Sequence, residues 1–278
     1  MTVAPIAGRH AIKTVSFGLE WQEPLSEDLL VLLKALHVRV RDKLPRVIEH
    51  QEIGLKIVVS PAAPASPAPE NASLKPRLAG LNFEALQPDG EPAWALAIQR
   101  DFLAVSCHVY SRWDLIWPQA RDLLAPFIPV LARECGIAVI GLQYVDQFRV
   151  IGQDEQFKAE DLFRKDSRYL PTHVFGLDDL WHSHHGFFQT MEEPTAHRQL
   201  NNIDVDVINA HQERLVQITT AHRALLDQPA TDGAALLNDQ GDGELHQHLD
   251  GLHRLNKTLL RELLTDSMCG QINLRETQ

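Results

Sequence analysis

The sequence predicts an α+β fold: a pseudo-duplicated antiparallel β-sheet with long helices packed on one face. Three observations lead there. The segment Val15 to Trp21 is echoed in outline by Val139 to Tyr144. Each of these strand-like segments opens the same order: strand, helical segment, antiparallel strands, long helix. The helical segments carry their apolar residues on a single stripe, as helices laid on one side of a sheet do. Residues 1–136 form the first α+β half and residues 137–278 the second, the two expected to make one compact unit.

Val15 to Trp21 alternates and is bounded by Pro24, which reads as a strand. Ser26 followed by Glu27 and Asp28 marks a helix start, because a hydroxyl and acids satisfy free N–H groups there. Leu29, Leu32, Leu33, Leu36, Val40 and Leu44 then recur at three-to-four spacing, predicting a helix that ends at Pro45. Ile53 to Val59 is β-branched and reads as a strand. Pro61 to Ser73, rich in Pro, Ala and Ser, reads as a mobile surface loop.

Arg77 to Leu86 is the next strand, and Pro88-Asp89-Gly90 is turn chemistry. Trp94 to Gln99 and Phe102 to Val109 read as a hairpin. Trp113 to Cys135 predicts a long helix bent at Pro126 and Pro129, since each removes a backbone donor. Gly136 ends it. The second half opens with a strand from Ile137 to Val150, then a short helical candidate at Glu160 to Lys165. Strands follow near Trp181 to Met191, Gln199 to Asn209 and Arg214 to Leu226. Leu245, Leu249, Leu252, Leu255, Leu259 and Leu263 form the stripe of a last helix from Glu244 to Leu264.

The pieces, in this order, resemble a family of sporadically distributed, uncharacterised bacterial proteins. The resemblance rests on the strand Val15 to Trp21, the helix end Leu44-Pro45-Arg46-Val47 and the hairpin Ala95 to Ser106. It continues through the aromatic segment Tyr110 to Trp117, the strand Ile140 to Phe148 and the helix His253 to Asp266. It covers nearly the whole chain. Gln143 stands where that family commonly has arginine, and Asp146 where it commonly has asparagine. The resemblance implies a fold and brings no assigned activity.

Composition narrows the function classes. The chain has 278 residues, 44% hydrophobic and 23% charged, with a formal net charge of -11. Phosphate backbones repel such a protein, so nucleic acid is an unfavoured partner. Arg39, Arg41, Lys43 and Arg46 surround a helix and read as a solvated face. Cys107, Cys135 and Cys269 form no CxxC pair and read as inert buried thiols. There is no signal-peptide pattern and no apolar run of membrane length, so a cytoplasmic protein without a membrane partner is expected.

Histidines supply the first candidate chemistry. His182 and His184 sit in Trp181-His182-Ser183-His184-His185, where a two-residue period points both to one face. Two imidazoles on one strand suit zinc or another divalent metal if Asp204, Asp206, His211 or His222 supplies a third ligand. The simpler reading is an exposed strand face. Asp204 and Asp206 share a face and suit acid–base work, or are a solvated sheet face. His246, His248 and His253 read as a polar helix flank. Trp113 and Trp117, four apart, read as core anchors before a stacking platform. No GxSxG, P-loop or dinucleotide fingerprint is present.

The expectation is therefore a non-enzymatic binding or adaptor protein. Its open sheet face would form a concave surface, and its partner would be a protein or a small ligand. An accessory or defence-type bacterial system and a homodimer are compatible with it. No cofactor and no catalytic residue is expected. The alternative is a metal-dependent enzyme or sensor built on strand 182–185. A third reading, an acidic nucleic-acid mimic, rests on charge alone.

Overall fold

Ten strands form a single antiparallel sheet, and the central ones alternate inward and outward side chains. The structure, a computed structural model, describes residues 2–52, 76–151, 157–210, 213–238 and 243–274. The loop expected at 61–73 and the strand expected at 53–59 lie outside the described residues. The strands are β1 (Thr2–Pro5), β2 (Ile12–Glu20), β3 (Arg46–Glu52), β4 (Arg77–Leu86), β5 (Pro92–Ile98) and β6 (Phe102–Cys107), then β7 (Ile137–Ile151), β8 (Trp181–Met191), β9 (His197–Ala210) and β10 (Glu213–Ala230). Their order across the sheet is β3-β4-β5-β6-β2-β7-β10-β9-β8, with β1 beside β7.

β1 and β2 occupy one edge of β7 in tandem. Pro5 faces Phe148 and Ile12 faces Asp146. The Ile6 N–H donates to the Gln147 carbonyl at 3.0 Å, and the Gln147 N–H donates to the Ala11 carbonyl at 2.8 Å. Residues 7–10 thus bulge out between two closely spaced anchor points. Gly8, with φ +75°, supplies the left-handed residue that this tight excursion needs. The excursion carries Arg9 and His10.

The helices are α1 (Glu27–Ala35), α2 (Trp113–Leu124), α3 (Ile128–Cys135), α4 (Gly233–Leu237), α5 (Glu244–Leu263) and α6 (Asp266–Gln271). Ser26 caps α1, its Oγ accepting from the Leu29 N–H at 3.2 Å. The helix expected to reach Leu44 stops at Ala35 and tightens into a 3₁₀ turn over Leu36–Arg39. His37 explains this, because its Nε2 donates to the Leu44 carbonyl at 2.8 Å and its ring lies 4.5 Å from that of Phe83. That pins a compact turn in which Val40 and Leu44 are still buried. The expected long helix is two, α2 and α3, separated at residues 125–127 around Pro126. Gly136, with φ +67°, closes α3. At Glu160 to Lys165 the chain forms only the end of a 3₁₀ turn, Ala159–Asp161.

Inward-facing strand residues such as Phe17, Leu19, Val105, Ile140 and Leu142 are buried, and their alternating neighbours Ser16, Gly18, Ala104 and Gly141 are only half-buried. The apolar interior divides in two. One cluster lies beneath α1 to α4 and the first half of α5, through Leu245, Leu249 and Leu252. The other lies beneath the second half of α5, through Leu259, Leu260 and Leu263, and reaches α6 through Met268 and Cys269. Since α5 belongs to the second half of the chain and most of the first cluster to the first half, the two halves share a core. Among the described residues no helix is long and apolar enough to cross a membrane.

Candidate functional site

The His-rich strand is β8, at the end of the sheet. His182 and His184 are both exposed, on the face opposite the helices. They lie across from Asp206 and Asp204 in the β8–β9 register, and the His184 ring nitrogen Nδ1 contacts the Asp204 carboxylate. His222 points the other way, fully buried under the helices, so it cannot join them. His211 lies outside the described residues. Among the described residues no group of three or more His, Cys, Asp or Glu side chains is placed to hold a metal ion. Replacing His182 and His184 with alanine is expected to leave a folded protein, changed in stability by less than about 1 kcal/mol. Elemental analysis is expected to find no stoichiometric metal in the parent. One equivalent of zinc, lost in the double variant, would instead make this strand a metal centre.

A cavity of ≈ 720 Å³ opens on the helix side, at the junction of the two core clusters. β7 supplies its floor. In that strand the inward positions run Ile140, Leu142, Tyr144, Asp146, Phe148 and Val150, so a carboxylate takes a place in an otherwise apolar and aromatic series. Asp146 is 2% exposed, and its Oδ2 meets no hydrogen-bond partner among the described residues. Burial pushes its pKa up to about 7.

The walls are aromatic. The Tyr144 hydroxyl and His253 Nδ1 are hydrogen-bonded at 2.8 Å. The His253 ring stacks on Trp113, centroids 4.2 Å apart and planes within 2°. Burial, reinforced by Lys257, lowers the His253 pKa to about 4, so the ring is neutral. Burial also raises the Tyr110 and Tyr144 hydroxyls above the ordinary tyrosine range, with the Asp146 charge adding to both. Arg9, from the excursion between β1 and β2, and Arg112, just before α2, are exposed at the mouth, and Lys257 of α5 also lines it.

Beyond the cavity a polar seam continues under α5. The Thr220 hydroxyl donates to Asn256 Oδ1 at 2.7 Å, and the His222 ring lies between the Asn256 and Asn201 amide oxygens at 3.1 and 2.8 Å, its one N–H donating to one of them. Asn201 in turn accepts from Gln199 and donates to Gln189, each at 3.1 Å. Burial lowers His222 to a pKa of about 4. At the far end His248 bonds the Thr195 hydroxyl at 3.0 Å and meets His197 edge-on. This chain of amides and imidazoles separates the two apolar clusters, and satisfying it demands one arrangement of α5 over β9 and β10.

Several sequence expectations change here. His248 is buried and His253 half-buried, so they are not a solvated flank. Trp113 and Trp117 both pack on Phe17 as core anchors, and Trp113 also lines the cavity. Cys107 is buried, with its thiol pushed up to about 11, and is inert in that state. Asp146 interrupts the apolar inward series of β7, and the alternation of that strand points it inward. Nothing local marks Tyr110 and Asn256 as its neighbours. No protein-family model matches the chain, and no curated protein matches it significantly.

Proposed function

We propose that this is a non-enzymatic binding protein whose small ligand occupies the cavity at the junction of the two cores. The observation that carries this is Asp146. A buried carboxyl without a partner lowers stability, and folds retain such groups where they meet something else. The cavity volume falls within the usual range for small-molecule sites, and its mix of aromatic walls with a few polar groups is the usual lining. The open sheet face is rich in Gly, Ala, Ser and Thr near its centre, and its buried polar atoms without a partner, Asn82 Oδ1 and Arg223 Nε, line none of the cavities described.

We also read the two halves as copies of one strand–helix–strands–helix unit. From the centre outward, β2-β6-β5-β4 is mirrored by β7-β10-β9-β8. β2 and β7 meet antiparallel, as a twofold axis between them requires. In the second half 3₁₀ turns at Ala159–Asp161 and Thr172–Gly176 stand where the first half has α1. On this reading the cavity sits where the copies join, a common place for a binding site in a two-lobed unit.

A thermal-shift screen of a small-molecule library tests the proposal, run on the parent and on Ser111→Trp. Ser111 is exposed and lines the cavity, so an indole there blocks it without entering the core. Compounds that raise the melting temperature of the parent should lose that effect in Ser111→Trp, while the fold and the unliganded melting temperature persist. Hits that act equally on both forms would remove the cavity as the binding site. Turnover of a hit that is lost in Asp146→Asn would show that Asp146 works as an acid or base instead.

A further inference from the structure

We propose that the ligand of this cavity is a small organic zwitterion, its ammonium group held by Asp146 and its anionic group by the basic mouth. This rests on the cavity being the ligand site. Three features lie in sequence from floor to mouth. At the floor the Asp146 carboxyl has a buried oxygen, Oδ2, with no hydrogen-bond partner among the described residues. A single-point donor with positive charge satisfies one free oxygen and offsets the desolvation of the carboxylate.

Along the walls stand Tyr110, Trp113, Tyr144 and His253. Aromatic faces and edges accept an ammonium and its alkyl or aryl stem, and the neutral His253 adds no competing positive charge. At the mouth Arg9, Arg112 and Lys257 place three basic residues on one lining of a protein whose net charge is -11. Arg112 faces Asp114 at 3.3 Å, but both side chains are at least 65% exposed, and such a pair is weak and easily rearranged. The mouth therefore attracts an anion against the field of the whole surface.

Single-ended ligands fit badly. An anion alone leaves Asp146 unpaired and is repelled by it. A cation alone passes three like charges. A molecule with both ends satisfies floor and mouth together.

Titration calorimetry with matched probes tests this on the full chain at about pH 8, where Asp146 is ionised. The probes are 4-(aminomethyl)benzoate, benzylamine and benzoate. The zwitterion should bind at least about tenfold more tightly than either single-ended probe. Asp146→Asn should weaken 4-(aminomethyl)benzoate and benzylamine by at least about tenfold and should not weaken benzoate, which it frees from the carboxylate's repulsion. Arg9→Ala combined with Arg112→Ala should weaken the zwitterion and benzoate but not benzylamine. Benzoate binding as tightly as the zwitterion, or Asp146→Asn with undiminished binding, overturns the ligand class. So does a screen whose Ser111→Trp-sensitive hits are uncharged while all three probes fail, and that result leaves the cavity as the site. If no compound binds in a Ser111→Trp-sensitive way, the cavity reading itself falls.

Discussion

Asp146→Asn is expected to make the protein more stable, and the more so the higher the pH. Asp146 has its folded pKa raised from 3.8 to about 7 by burial. For an acid shifted upward, the native state holds the proton more tightly than the unfolded chain. Between about pH 4 and pH 7 unfolding therefore releases a proton, and stability falls as pH rises through that window. A shift of roughly three pKa units corresponds to about 4 kcal/mol once the carboxyl is fully ionised. Asparagine is nearly the same shape and never ionises, so it escapes the penalty. The groups facing Asp146 do not reverse this. Arg9 and Arg112 are exposed and Lys257 is half-buried at the mouth, His10 and His253 are held toward neutrality by burial, and Tyr110 and Tyr144 stay protonated. Denaturant unfolding of both forms should show the advantage of Asp146→Asn growing by about 3 kcal/mol between about pH 5 and about pH 8. An advantage that does not change with pH would show that Asp146 is paired or hydrated in solution.

The second large effect runs in the opposite direction on the pH axis. His222, His248 and His253 are each held to a pKa of about 4, chiefly by burial, against 6.5 unperturbed. For a base shifted downward, the unfolded chain binds the proton first. The stability these neutral rings contribute is intact above about pH 6.5 and is lost as pH falls toward 4. Up to three protons are taken up on unfolding in that window, and Asp146 gives one back. His10 and His108, also lowered by burial, add to the uptake. The stability should therefore fall by up to about 3 kcal/mol per pH unit in the middle of the window. Unfolding free energies measured at half-unit steps give that slope directly. His253→Phe keeps a ring against Trp113 and should reduce the slope by about one proton. A flat profile across the window would mean that the polar seam admits water in the folded state.

Local sequence was a good guide wherever one element's own periodicity decides its form. The leucine stripe from Leu245 to Leu263 makes α5 and the two-residue alternation from Ile137 makes β7, while the helix expected to bend at Pro126 and Pro129 is interrupted at Pro126, with Pro129 in the first turn of α3. These features need no partner from elsewhere in the chain. α1 shows the limit. Its apolar spacing continues to Leu44, yet the helix stops at Ala35 because His37 bonds the Leu44 carbonyl and packs on Phe83, which β4 supplies. The strand Arg46–Glu52 was missed for a related reason. It is exposed along most of its length and exists through its pairing with β4.

The candidate site shows the same division. Alternation along β7 alone turns Asp146 inward beside Tyr144, so the sequence by itself determined that a carboxylate enters the core. Whether that carboxylate found a counter-ion was decided only by the fold. Its surroundings come from the turn at Arg9 and His10, from Tyr110 and Trp113, and from His253 and Asn256 on α5. The hydrogen bond from Tyr144 to His253 joins positions 109 residues apart, and the bond from Thr220 to Asn256 spans 36. The same division explains the histidines. Period two placed His182 and His184 on one face as read, but only the order of strands puts them on the exposed side and His222 on the buried one. Backbone periodicity is a local property, set by sterics and by the hydrophobic pattern within one segment. The dielectric, charge and partners that a side chain meets depend on which distant segments pack against it.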